Sequence, residues 1–463
     1  MDDYHQFLLS QRQRILEHIT PSKDAIELQQ LLDQLIAYQS SVRGRPITNI
    51  PSPSIHQVHF NNLPPSLEMA AEIDYRLTLL ENYQINNAAR ISQLLLAGLQ
   101  IPQPIIFSQL QIDYLSMLHQ NPMMGTVQLA KEIGVSPRTI KREKNQLNSQ
   151  YGLCVASMMD PHQFGLVHIG VQFRTKSLKS SQEIETRIYQ EAKSNRILAF
   201  LHGFAFDVSQ REGIISSFLP NQMQARNHFD QFIREINDLY CEEISIHYIQ
   251  GCYVNLNFGS YNHVSQEWQA TSDLRTEGTR RFIEEYGFQF PPPRGYIYRH
   301  NVLPFTPADW ILILSLCEGL LERKDRRALL AQYDFAMAEK TVWAHERRLQ
   351  KAQAYFPFLT FSRLFFDETI CVIVKCEPTT IEFLHQFVTQ FVMSRIQPIM
   401  DGIILFLGVP SGASSLTNQL THTLLDLPGL KEVSVLRLKR DLPHLPSILT
   451  YQLWNPKTKQ WSS

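Results

Sequence analysis

Glycine is scarce in this chain, at 19 of 463 residues, or about 4% against a usual ~7%. That shortage argues against glycine-rich phosphate loops and against collagen-like or linker-rich architectures. No GxxxxGK(S/T), HExxH, GxSxG or GxGxxG occurs, so nucleotide-binding, zinc-protease and serine-hydrolase readings lack the residues that would carry them. The six cysteines (Cys154, Cys241, Cys252, Cys317, Cys371 and Cys376) never form a CxxC pair. Neither a zinc knuckle nor a disulfide scaffold is expected; no metal or cofactor is called for, and a reducing cytoplasm fits. Charge of one sign is also missing: Lys and Arg number 43, Asp and Glu 44. Any basic surface must therefore be local. The opening residues MDDYHQFLLSQRQRIL show no secretory pattern. The longest apolar run, Trp310 to Leu321, contains Ser315 and Glu318 and is shorter than the ~20 residues a span needs. It reads as a buried helix, and no membrane partner is expected.

Hydrophobic residues make up 44% and charged residues 19%, ample for a packed core, and the length suits about three domains of roughly 150 residues. Residues 4–39 have helical periodicity, with Leu8, Ile15, Leu16 and Ile19, then Leu28, Leu31, Leu32 and Leu35, on one face. Pro21 and Ser22 interrupt it. A proline-rich stretch over 41–65 reads as a linker, and 66–99 as further helix ending before Pro102 and Pro104. Together 1–104 reads as a helical packing or oligomerisation module without chemistry of its own.

From residue 105 the chain repeats. Phe107 to Leu118 lines up with Phe305 to Leu316, 198 residues on, and Thr139, Ile140 and Leu147 line up with Thr341, Val342 and Leu349, 202 residues on. A tandem duplication explains this. Each copy continues as strand, helix, strand, strand, helix, strand. The first runs over 165–174, 180–193, 196–208, 213–219, 221–239 and 242–258, and the second over 369–376, 378–393, 394–400, 402–409, 413–427 and 431–439. That order is ferredoxin-like, βαββαβ. The fold class expected is thus α+β: the helical module, then two copies of a (winged) helix-turn-helix plus a ferredoxin-like unit. The domains would be 105–158 and 159–290, then 300–358 and 359–463, with Pro291 to Gly295 as a stiff linker. Cys371 and Cys376 fall on a strand and read as small buried hydrophobes.

The helix-turn-helix signal is TVQLAKEIGVSPRTIKREKNQL, Thr126 to Leu147. Leu129, Ala130 and Ile133 face inward, Gly134 supplies a turn residue able to take positive φ, Ser136 is a natural N-cap and Pro137 suits the first helical position. At 100° per residue Ile140 and Leu147 share one face, while Arg138, Lys141, Arg142 and Asn145 cluster opposite. Arg can read guanine, Asn can read adenine, and Lys neutralises phosphate. Ser136, Arg138, Thr139, Lys141, Arg142 and Asn145 are the candidate DNA-binding residues; the plainer reading is a solvated amphipathic helix. Glu143 and Lys144 flank the packed side, where an apolar residue is expected. The second copy is poorer: Leu330 to Phe335 has no turn glycine, and one residue is inserted before Thr341. Lys340, Trp343, Ala344 and Arg347 replace the first copy's polar readers. Lys340 and Arg347 are weaker DNA-binding candidates, Arg323 to Arg327 could touch phosphate, and a packing or dimerisation role is the main expectation there.

The helix-turn-helix beginning at Ile112-Asp113, the basic helix, and Asp160-Pro161 with Phe164-Gly165-Leu166 before the ferredoxin-like unit resemble the Lrp/AsnC family of transcription regulators. The resemblance covers 109–258, and 305–440 by repetition of pattern. It implies a non-enzymatic cytoplasmic regulator that binds double-stranded DNA, with homo-oligomers built through the ferredoxin-like units and amino-acid effectors bound between them. Gly203 and Asp207 are the effector-site candidates, although Gly203-Phe204-Ala205-Phe206-Asp207 has one residue more than the family pattern; a strand end with a turn is the plainer reading. The duplication suggests one polypeptide mimicking a dimer. Paired modules similar to this family also form siroheme decarboxylases, an enzymatic alternative for which Arg299, His300 or His202 would be candidates. An architectural or adaptor protein is a third.

Overall fold

The computed structural model describes residues 2–42, 107–258, 294–297, 302–361, 368–409, 429–443 and 448–461, with short gaps inside these stretches, and scattered positions elsewhere. Helices α1 (Asp2–Glu17) and α2 (Lys23–Val42) pack together through buried Leu8, Ile15, Leu28, Leu31 and Leu35. Arg12 pairs across them with Asp33 at 2.6 Å. The proline-rich linker expected over 41–65 lies outside the described residues beyond Val42, as does most of the helix expected over 66–99. Of the latter, Ile73, Leu77, Ala88 and Ile91 are helical and buried.

The first repeat opens with α3 (Gln109–Gln120), α4 (Thr126–Ile133) and α5 (Pro137–Tyr151), followed by strand β1 (Leu153–Met159). Asp160 caps a short 3-10 turn by accepting the His162 N–H at 3.0 Å, and Gly165 closes that turn at φ +69°. The chain then runs β2 (Leu166–Thr175), α6 (Leu178–Lys193), β3 (Leu201–Phe206), β4 (Glu212–Pro220), α7 (Met223–Tyr240) and β5 (Cys241–Ile249). The strand expected over 242–258 is interrupted at Gln250, whose N–H turns to Pro398 O at 2.8 Å. It resumes as β6 (Gly251–Leu256). Arg294 and Gly295, expected in a linker, instead begin β7 (Arg294–Ile297), which pairs with β6.

The second repeat supplies α8 (Pro307–Cys317), α9 (Arg323–Gln332), α10 (Glu339–Lys351) and β8 (Tyr355–Phe361). Its sheet strands are β9 (Glu368–Cys376), β10 (Met393–Ile399), β11 (Gly402–Val409) and β12 (Leu430–Leu438). The helices expected over 378–393 and 413–427 lie mostly outside the described residues. Every residue of α8 after Pro307 is buried, Asp309 and Ser315 included. Trp310 donates its indole N–H to Thr450 at 2.8 Å, and Trp461 donates to the Phe164 carbonyl at 2.7 Å, so the C-terminal segment clamps α8 onto the first repeat. No helix among the described residues is long and apolar enough to cross a membrane.

Two devices join the repeats. Strands β1 and β8 pair antiparallel along their whole length, from Leu153 opposite Phe361 to Met159 opposite Tyr355. Ala156 lies opposite Phe358, 202 residues on, the separation that also relates Thr139 to Thr341. Each residue there faces its own repeat counterpart, so a pseudo-twofold axis passes through that pair. The strand expected to form a wing in each unit is thus shared: Leu359 enters the first helix-turn-helix core and Met159 the second.

The second device is the sheet. The strands run β12-β9-β11-β10-β5-β2-β4-β3, and within each repeat the order is 4-1-3-2, as a ferredoxin-like unit requires. An isolated bridge from Asp207 to Leu438 joins the two far edges, so the sheet curls back on itself. The helix-side faces bury Val167, Ile169, Val171 and Phe173 in the first half and Ile370, Val372 and Val374 in the second. The inner faces meet through Ile214, Ile249, Cys371, Ile373, Ile404 and Phe406. The halves pack closely at Gly170, where a Cβ would stand 3.4 Å from Ile404 Cδ1, at the edge of ordinary contact. Cys371 and Cys376 are both buried, on opposite faces of β9.

Candidate nucleic-acid interface

The turn before α5 is built as its residue types demand. Gly134 adopts φ +80°, and the N–H groups of Gly134 and Val135 both reach the Ala130 carbonyl, at 3.0 and 2.9 Å. Ser136 Oγ then accepts the Thr139 N–H at 3.1 Å, capping α5 with Pro137 in its first turn. Ile140 and Leu147 are fully buried. Arg138, Lys141, Arg142 and Asn145 stand exposed on the opposite face, with Ser136 exposed and Thr139 half-buried at its start.

Glu143, expected to weaken the packed side, is in fact part of it. It is buried, accepts Gln111 Nε2 at 3.1 Å, and takes Arg142 Nε and Nη2 at 3.0 and 2.8 Å. Gln111 is also the third residue of α3, where it completes a capping box with Ser108. A carboxylate is tolerable there because two side chains satisfy it. The consequence for Arg142 is positional: Glu143 holds one edge of the guanidinium, and the Nη1/Nη2 end stays available in a fixed fork.

The second unit reproduces this frame with other residues. Asp334 takes the turn position at φ +65° where the first unit has glycine, and Phe335 N–H reaches the Leu330 carbonyl at 2.9 Å. Asp334 follows Gly134 by 200 residues, while the cap residue Ala338 follows Ser136 by 202. The insertion after the turn is therefore two residues, not one. Asp309, fully buried in α8, occupies the place of Gln111 and accepts from Thr306 N–H and hydroxyl at 2.7 and 2.8 Å. It also accepts His345 Nδ1 at 2.7 Å and an Arg348 guanidinium N–H. Burial pushes the Asp309 carboxyl up, but hydrogen bonds from Arg348, His345 and Thr306 outweigh it and hold the group below the usual carboxylate value. Val342 and Leu349 are fully buried, whereas Lys340, Trp343, Ala344 and Arg347 are exposed. Arg326, counted among phosphate-touching residues, is buried and paired with Glu346 at 2.7 Å, which removes it from that role.

The remaining candidates lie elsewhere. Asp207 Oδ1 accepts Ser209 Oγ at 2.8 Å and the Arg211 and Glu212 N–H groups at 3.2 and 3.0 Å, so its carboxylate closes the β3–β4 turn. Gly203 sits mid-strand opposite Ser216. Arg299, His300 and the His202 side chain lie outside the described residues. A polar seam runs between the inner faces of the curled sheet: His168 Nε2 meets Ser216 Oγ at 2.8 Å, and Gln172 donates to Ser434 Oγ at 2.7 Å. Among the described residues no three His, Cys, Asp or Glu side chains come together as metal ligands would.

No family model matches the chain, and no curated protein matches it. Among solved structures, the siroheme decarboxylase NirDL is 11% identical, covers 72% of this chain and 93% of its own, with a TM-score of 0.40. A transcriptional regulator from Neisseria meningitidis in complex with L-Met is 15% identical over 31% of this chain and 89% of its own, at 0.24. AsnC of E. coli is 18% identical over 31% of this chain and 91% of its own, at 0.23.

Proposed function

We propose that this chain is a DNA-binding transcription regulator that presents α5 to the major groove. The observation that carries this reading is the exposed face of α5. Arg138, Lys141, Arg142 and Asn145 lie on one side of a capped helix, and Glu143 orients Arg142 from behind. The paired ferredoxin-like units then act as the frame that holds two helix-turn-helix units on one polypeptide. Assembly of whole chains, and a response to amino acids bound at the inner faces, belong to the same reading.

Purified protein is incubated with genome fragments at two salt concentrations, beside the Arg138→Ala/Arg142→Ala variant. A few fragments that survive the higher salt and vanish in the variant are the expected result. Equal retention by the variant overturns the assignment of α5. No retention at either salt overturns the regulator reading, and tetrapyrrole absorbance of the purified protein then tests the decarboxylase one.

A further inference from the structure

The two outward faces of α5 and α10 are built on one frame but carry different chemistry. Thr139 and Thr341, Ile140 and Val342, and Leu147 and Leu349 are each 202 residues apart, and the two apolar pairs are buried in both repeats. That fixes the correspondence of the exposed positions. Arg138 becomes Lys340, Lys141 becomes Trp343, Arg142 becomes Ala344, and Asn145 becomes Arg347.

We propose that the chain recognises a DNA duplex with two unlike half-sites, the second of them thymine-rich and read by Trp343 and Ala344 with Arg347. The proposal rests on the DNA-binding reading above. Trp343 is 42% exposed on the outer face. Its indole offers apolar surface on the same face as the exposed cations of α10. The Arg347 guanidinium lies 5.0 Å from the centre of its ring, which orders both side chains before any partner arrives. Basic Lys340 and Arg347 flank this indole, so the partner is anionic as well as able to offer apolar contact.

Duplex DNA meets both demands in the major groove, where thymine alone offers a methyl group. Replacement of Arg142 by Ala344 removes a guanine reader and supplies a methyl in its place. The pseudo-twofold axis through Ala156 and Phe358 relates α10 to α5, and the proposal sets both helices on one duplex. An identical pair of helices would select a palindrome; these two select unlike halves.

The test is selection of the full-length chain on a randomised duplex pool, followed by sequencing, with Arg138→Ala, Trp343→Ala and Trp343→Phe in parallel. The expected wild-type sites hold two different half-sites whose centres lie about one helical turn, or a multiple of it, apart. Trp343→Ala loses about tenfold in thymine discrimination within one half only, and Trp343→Phe keeps it. Arg138→Ala alters the other half, and retention of that half by the Trp343 variants shows that they remain folded. Matching palindromic halves, a single half-site, or an unchanged preference in Trp343→Ala overturns the proposal. No enrichment by the wild type overturns the DNA-binding reading itself, and this proposal falls with it.

Discussion

Gln111 donates its side-chain N–H to Glu143 at 3.1 Å, so a single residue closes the cap of α3 and grips the middle of α5. In the second repeat the acid and its partner change sides: Asp309 on α8 accepts from His345 on α10. Both repeats therefore bury one carboxylate between the first helix and the third, satisfied from across the interface. An apolar contact would hold these helices together, but it would leave their relative rotation looser. A directional bond sets which face of the third helix points outward, and that face is the candidate interface.

Removing the acid from the first repeat should show its worth. Glu143→Ala leaves Gln111 Nε2 buried without an acceptor and frees Arg142, and it should destabilise the protein by about 1–3 kcal/mol in urea unfolding. Glu143→Gln keeps an acceptor oxygen and should cost less. Equal stability of wild type and Glu143→Ala would show that the bond contributes nothing net.

Asp309 gives a pH-dependent counterpart. Its carboxyl titrates below the usual range in the folded protein, so the folded state binds fewer protons than the unfolded one. That contribution is complete above the unfolded carboxylate value of about 3.9 and is lost as pH falls through the lower folded value. Asp309→Asn should lose about 1–3 kcal/mol at neutral pH, because the bonds from Arg348 and His345 then meet a neutral amide while the half-exposed Arg348 can turn to water. The gap to wild type should stay constant down to about pH 4 and close below it. Thermal unfolding of both proteins across pH measures the gap, and one that widens on acidification refutes the assignment.

Much of this arrangement was legible in the residues, and the parts that were not share a cause. Apolar spacing and the Gly134-Ser136-Pro137 sequence mark the first helix-turn-helix because local propensity and packing agree there. The duplication exposed the second unit, and its strand order followed the first. Positions whose role is set by a partner far along the chain stayed hidden. Glu143 reads as a flaw until Gln111 is placed opposite it, and Asp334 reads as a missing glycine because aspartate, too, can take positive φ. The pairing of β1 with β8 crosses some 200 residues, and no local pattern announces such a register. Arg294 and Gly295 follow three prolines and so read as linker, although β6 supplies them with a strand to join.

The two turns invite a matched comparison. Gly134 and Asp334 hold φ of +80° and +65°, and a Cβ on Gly134 would meet nothing within 4 Å. The penalty for a side chain at Gly134 is therefore conformational alone. Gly134→Ala should destabilise by about 1–2 kcal/mol, and Asp334→Gly should be neutral or stabilising by a few tenths, since it relieves the same strain at the cost of chain entropy. Denaturant midpoints of the two variants check this. Loss of stability in Asp334→Gly comparable to that in Gly134→Ala would mean that the Asp334 side chain holds something besides the turn.

His247 offers the sharpest pH signature outside the helix-turn-helix units. It lies on β5 opposite Gly170, buried where the two halves of the sheet meet, and its Nε2 has no hydrogen-bond partner among the described residues. Burial holds its imidazole below the ordinary histidine value and Lys375 pushes the same way, against a weaker opposite pull from Asp401 and Glu432. A depressed folded-state value means that the unfolded chain takes up the proton first. Stability is then complete above the unfolded value of about 6.5 and declines as pH falls below it. The melting temperature of the wild type should accordingly fall more steeply between about pH 7 and 5 than that of His247→Gln, which cannot titrate there. The protonated ring would stand near Lys375 with no acceptor for Nε2, so the loss should fall on the contact between the two halves. Parallel curves for the two proteins would show that His247 titrates normally and that the seam is open to water.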